Sequence, residues 1–127
     1  MTSTYFSNEA LGEGDLRIER GNDLKGVEVA PGVVLHPLIG EGMNINVVIL
    51  EPDAVAEIHA HDEEQMGYIV SGRCEFTDGK NTWTLDPGDT YHAAPNVPHG
   101  AKSLGDRCVI VDCFSPARAG IRELLDG

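Results

Sequence analysis

His59 and His61 stand one residue apart in the stretch HAHDEEQMGYIVSG, residues 59–72. In a β-strand, residues i and i+2 project from the same face, so the pair offers two imidazoles side by side, a spacing suited to one metal ion. Alone, such a pair is a weak signal, because two surface histidines look the same. Gln65 keeps the parity if the strand resumes after a short interruption, and Asp62, Glu63 and Glu64 fill that gap. A third histidine, His99, lies in APNVPHG, where Pro95 and Pro98 stiffen the backbone around it. This predicts a side chain held in place before any ion arrives.

The two stretches form an ordered pattern: H-x-H, then E or Q, then YIVSG, then PGD and P-x-x-P-H, here HAHDEEQMGYIVSG and LDPGDTYHAAPNVPHG. The pattern resembles the two-part motif of the cupin family. The resemblance implies an all-β fold, the double-stranded β-helix or jelly-roll barrel, enclosing one divalent transition metal. It implies His59, His61 and His99 as ligands, with a fourth fixed by its distance from the glycine that closes the strand. Counted back from Gly72 that residue is Gln65, with Glu64 the alternative. Asp62 and Glu63 are then loop acids, either solvated or supporting the ligands. His36 and His92 either touch the site or pack elsewhere. Imidazole-rich shells accept Zn, Ni, Mn or Fe, so the metal's identity stays open.

The choice of fourth ligand carries chemistry. Three neutral imidazoles and a neutral amide oxygen leave a divalent ion its whole charge, whereas a glutamate would cancel part of it. The neutral shell makes the ion a stronger Lewis acid and lowers the pKa of a bound water or substrate hydroxyl. It disfavours the higher oxidation states that oxygen chemistry needs, and it is not the two-histidine, one-carboxylate triad of iron oxygenases. Proton transfer or isomerisation is favoured over dioxygen chemistry.

Near the C-terminus, CVIVDCFSPAR covers Cys108 to Arg118. By alternation Cys108, Ile110, Asp112 and Phe114 share one face, and Val109, Val111 and Cys113 the other. An acid inside an apolar strand is costly to bury unless paired or functional. Asp112 is therefore either a solvated residue of an edge strand or a general acid or base inside the barrel. With EQMGYIVSG and PGDTYHAAPNVPHGA, the segment VDCFSPAR resembles the small pectin-degradation cupins known as KdgF, over roughly Gly26 to Arg118. Ala94 and Asp53 depart from that family's usual Pro and Gly. The resemblance implies an enzyme that helps 4,5-unsaturated monouronates pass from ring to linear keto form by ring opening and tautomerisation. It implies site roles for Asp112, Phe114 and Arg118, within a D-x-F-x-x-x-R pattern. Arg118 could pair with the uronate carboxylate, Asp112 move the proton, and Phe114 pack on the sugar face. An iron-dependent dioxygenase and a non-catalytic small-ligand-binding cupin are the competing readings. Arg118 reads equally as a surface charge at the start of a helix.

Elements able to position such a site are legible along the chain. DLRIE reads as a first strand. GVEVAPGVVLHPLIG reads as two strands broken at Pro31-Gly32, and MNINVVIL as another. VAEIHAH alternates Ala56, Ile58 and Ala60 against Glu57, His59 and His61. MGYIVSGRCEFT bends at Ser71-Gly72, DGK is a hairpin turn, and NTWTL, TYHAA, HGAKSL and RCVIVDCF complete the count. A short helix is predicted from Arg118 to Leu125. Residues 1–14 are polar and read as loosely held.

The 127 residues suit one domain, 1–127. Hydrophobic residues make up 41%, enough for a core. A net charge of −12 repels phosphate backbones and anionic membranes, arguing against nucleic-acid or membrane partners. The acidity reads either as a solvated surface or as adaptation to a salt-rich cytoplasm. Three cysteines without framework spacing argue for packing in a reduced compartment rather than disulfides, and the N-terminal stretch lacks the features of a signal peptide. A cytoplasmic location and, from the resemblance, a homodimer are expected, with DLRIE available to pair between copies.

Overall fold

The computed structural model describes residues 4–7 and 12–126. Ten strands form two antiparallel sheets: β1 (Val27–Ala30), β2 (Val33–Ile39), β3 (Asn44–Leu50), β4 (Val55–His59), β5 (Glu64–Ser71), β6 (Cys74–Thr77), β7 (Thr82–Leu85), β8 (Thr90–Ala93), β9 (His99–Ser103) and β10 (Cys108–Ser115). One sheet has the order β1-β2-β3-β10-β5-β8, the other β4-β9-β6-β7. Among the described residues one short α-helix, α1 (Ile121–Asp126), follows β10. This is the expected all-β jelly roll. Among the described residues no helix is long and apolar enough to cross a membrane.

Strict burial alternation shows how the sequence selects the inner faces. In β3 Asn44, Asn46, Val48 and Leu50 are buried between half-buried neighbours, and in β10 Cys108, Ile110, Asp112 and Phe114 are. One end of the interior is hydrocarbon: Val33, Val48, Leu50, Ile69, Cys74, Phe76, Cys108 and Ile110 form the core. Each large aliphatic side chain there contributes about 1.5–3 kcal/mol. Cys74 and Cys108 are unbridged, and their sulfurs meet between β6 and β10. The other end of the same strands carries Asn44, Asn46, Gln65 and Asp112, all buried. Registry thus separates an apolar floor from a polar chamber.

β10 lies between β3 and β5, in the middle of the larger sheet. Asp112 is only 8% exposed, which removes the reading of a solvated residue on an edge strand. Three local expectations need correction. DLRIE is not a strand: Leu16 and Ile18 are exposed, and β1 occupies the place beside β2. The contact of this segment with the sheet is a side-chain one, Arg17 Nη2 to the Ile39 carbonyl at 2.7 Å. The helix begins at Ile121 rather than Arg118, because Gly120 takes φ +84°, outside the right-handed helical region, and interrupts the run. The Arg118 amide donates to Asn44 Oδ1 at 2.7 Å and the Ala119 amide to Glu63 Oε2 at 3.0 Å. The third correction concerns β4, where the pairing with β9 shifts register between Ala56 and His59. Ala56 and His59 therefore both face the interior cavity, whereas simple alternation put them on opposite faces. The expectation for residues 1–14 falls in half on residues outside those described, and among the rest Tyr5 and Phe6 are exposed.

The chain crosses from the larger sheet to the smaller at Ser71-Gly72. Gly72 has φ +75°, and a Cβ there would run into the Arg107 carbonyl and come within 2.8 Å of Cys108 Cα. Asp53, where a glycine is common in the related pattern, takes φ +62°, a conformation Asp tolerates better than most residues. Gly72→Ala is expected to cost about 2 kcal/mol or more, read as a lowered denaturation midpoint. An unchanged midpoint would contradict the proposed crossing geometry.

Candidate metal centre

The two sheets bring His59, His61 and His99 to one point. His59 ends β4 and is the register partner of His99, which opens β9. His61 lies just beyond β4, in the loop to β5, and not in the strand where the alternation had placed it. One nitrogen from each ring lies within 4.8 Å of the other two. From the opposite sheet, Gln65 on β5 sets its Oε1 3.0 Å from His61 Nε2 and 3.1 Å from His99 Nε2.

Tautomers follow from what the other ring nitrogens touch. His59 Nδ1 is 2.8 Å from the Glu57 carbonyl, His61 Nδ1 3.0 Å from that of Glu63, and His99 Nδ1 2.8 Å from that of Val97. A carbonyl only accepts, so each Nδ1 carries the proton and each Nε2 presents a lone pair. Burial lowers the pKa of His61, helped by the Arg118 charge, and burial lowers that of His99, helped by the neighbouring imidazoles. Second protons on these rings are disfavoured.

Gln65 is oriented just as firmly. Its Nε2 donates to Tyr91 Oη at 2.6 Å, and that hydroxyl spends its one proton on Asp112 Oδ1. The amide oxygen must then face the imidazoles. Four acceptor atoms converge with no proton to place between them, an arrangement a cation resolves. The residues present therefore fit a divalent ion.

The relay Asp112–Tyr91–Gln65 is built on a glycine. Gly67 on β5 is the register partner of both Tyr91 on β8 and Asp112 on β10. A Cβ on Gly67 would strike the Tyr91 ring and come within 2.6 Å of Asp112 Oδ1. Only a residue without a side chain lets the ring cross the strand. Tyr91 and Gly67 are functional candidates that sequence reasoning missed. The available signal was a glycine inside an otherwise regular strand, MGYIV. Burial pushes the Asp112 carboxyl up to about 7, against the opposing pull of the Tyr91 and Gln65 hydrogen bonds. Burial, with Asp112 adding to it, raises Tyr91 well above its ordinary value.

The acids divide by position. Asp62 is exposed. Glu64 is exposed and pairs with His92 at 2.6 Å, which turns both away from the chamber. Glu63 is buried, with Oε1 3.3 Å from His61 Nδ1 and 3.8 Å from Arg118 Nη1. Burial alone would raise its pKa, but the Ala119 amide, its own backbone amide and the Arg118 charge outweigh burial and hold it low. Glu63 thus braces one imidazole and the segment carrying Arg118. His36 is elsewhere, with Nδ1 3.1 Å from the Leu24 carbonyl. Phe114 packs 5.7 Å from His61, ring centre to ring centre. A cavity of about 430 Å3 opens beside the cluster, and His59, Gln65, Asp112, Phe114 and Arg118 all line it.

Residues 46–114 match the Cupin domain family. The chain belongs to that family, and the β-architecture and three-histidine cluster are those of a cupin able to hold a metal ion. It resembles KdgF in particular. It is 37% identical over 67 residues to the pectin degradation protein KdgF of Dickeya dadantii, covering 52% of this chain and 61% of that protein. It is 32% identical over 95 residues to the H2HPP isomerase of Bacillus subtilis, covering 74% of this chain and 40% of that protein. The matches thus span well under two thirds of the isomerase and somewhat under two thirds of KdgF. Among solved structures, KdgF from Halomonas sp. superposes with a TM-score of 0.73 at 28% identity, covering 78% of this chain and 94% of that one. An RmlC-like cupin from Shewanella frigidimarina gives 0.76 at 24% identity over 83% and 95%, a likeness of fold.

Tyr91→Phe removes the acceptor that orients the Gln65 amide while preserving shape. Metal affinity is expected to fall about 10- to 100-fold with the denaturation midpoint little changed, measured by competition with a chelating dye. Unaltered affinity would mean that the relay does not orient Gln65.

Proposed function

We propose that the protein is a metal-dependent enzyme that moves a proton on a small acid, opening or tautomerising its ring or keto–enol form. The four inward-facing acceptors, none of them charged, carry this reading. His59, His61, Gln65 and His99 would hold one divalent transition metal. When bound, the ion supplies Lewis acidity toward substrate oxygens at undiminished charge. Arg118, one-third exposed at the cavity edge and linked to Glu63, pairs with the substrate carboxylate through its planar fork. Phe114 forms an apolar wall that excludes water from one side. Asp112 sits in the cavity wall within the larger sheet and accepts and returns the proton, with Tyr91 holding one of its oxygens.

The resemblance to KdgF makes 4,5-unsaturated monouronates the first substrate of this class to test, with the linear keto form as product. A neutral amide where an oxygenase would place a carboxylate speaks against iron-dependent dioxygen chemistry. An acid buried beside the ligands is more than a passive binding barrel requires.

His59→Ala and His99→Ala are each expected to abolish stoichiometric divalent metal in the purified protein, and metal retained by both variants would remove the site. Asp112→Asn is expected to keep its metal but slow loss of the unsaturated uronate's ultraviolet absorbance by about 100-fold or more. A variant as fast as the parent would exclude Asp112 as the proton carrier.

A further inference from the structure

The cavity beside the metal cluster is lined unevenly. Asn46, His59, Gln65, Asp112 and Arg118 supply its polar lining, while the rest is largely hydrocarbon, including Val29, Val33, Leu35, Val48, Ile121 and Leu124. Val29 comes from the edge strand β1, and Ile121 and Leu124 come from α1. Ile121 is buried, whereas Val29 and Leu124 stay 42% and 44% exposed at the rim. Among the described residues no serine, threonine or lysine lines this cavity, and Asn46 is one of its few uncharged polar side chains. A polyhydroxylated ligand entering it would give up water around several hydroxyls and find few partners, a loss only a paired hydrogen bond offsets.

From this asymmetry we infer that the acid held by this site presents a hydrocarbon ring or chain to the wall between β1–β3 and α1. The inference rests on the metal-dependent proton-transfer reading for its polar end and adds the substrate class. The acid's oxygens lie toward the imidazoles and Arg118. Its apolar part covers Val29 and Leu124, which are otherwise left partly in water. At about 430 Å3 the cavity stands at the small end of the range for ligand sites, about 300–1,000 Å3, so the hydrocarbon part is short. α1 acts as a specificity element, and the amides of Arg118 and Ala119, held by Asn44 and Glu63, fix its approach to the barrel.

A chain-length series tests this. Protein loaded with zinc is titrated calorimetrically with pyruvate, 2-oxobutanoate, 2-oxohexanoate and 2-oxooctanoate. Affinity is expected to rise roughly three- to fourfold per added methylene until the cavity is full. Leu124→Asn and Val29→Asn, both at partly exposed positions, are expected to flatten that rise while leaving pyruvate binding unchanged. A flat series, or a rise that neither variant alters, would overturn the inference. Metal content is measured on the same preparation. Protein that takes up no zinc would refute the metal reading, while the slope with chain length would still report on the apolar wall.

Discussion

Everything in this barrel's polar chamber depends on lone pairs brought together with no hydrogen between them. Three Nδ1–H groups are committed to backbone carbonyls, and the Gln65 amide hydrogens are turned toward Tyr91. What remains facing inward is three imidazole Nε2 atoms and one amide oxygen. Protonating the imidazoles could separate these acceptors, but burial opposes it for His61 and His99. A divalent cation satisfies all four at once and adds no charge to the protein side of the shell.

The fold produces this convergence by dividing labour between its sheets. The smaller sheet supplies the cross-strand pair His59 and His99, and a register shift in β4 turns His59 inward. The larger sheet supplies Gln65 and sets its orientation through a row of register partners running from Tyr91 through Gly67 to Asp112 and on to Asn46. The row places a buried acid, a phenol and an amide side by side, and the gap at Gly67 lets them touch. The side chains that orient the Gln65 amide are thus tied to a buried carboxyl. Hydrocarbon surrounds this polar row, both in the barrel floor and in the cavity wall under α1. That confines the charged chemistry to a small volume with few competing hydroxyls.

Much of this was legible in the sequence, for physical reasons. β-Branched composition marked β3, and period-two patterning put Asp112 and Phe114 on one face of β10 while leaving open whether that face was buried. The spacing of His59, His61, Gln65 and His99 anticipated a cluster that the structure brings together. Features that depend on partners distant in sequence stayed hidden. Nothing local marks Tyr91, whose importance comes from standing opposite a glycine on another strand. Glu63 looked like its solvated neighbours Asp62 and Glu64, and only the return of the chain at Ala119 buries it. The register shift in β4 defeated simple parity. DLRIE has the composition of a strand, but the sheet edge beside β2 is taken by β1. The late start of α1 reflects the left-handed backbone at Gly120, a conformation that glycine permits but does not announce in the sequence.

X-ray absorption of the protein loaded with a single divalent metal tests the central claim most directly, because it reads the ligands themselves. The account predicts scattering from three imidazoles and a light-atom oxygen donor, with Gln65→Ala changing the oxygen shell and leaving the imidazole count at three. Fewer than three imidazoles, or an oxygen shell indifferent to Gln65, would contradict it.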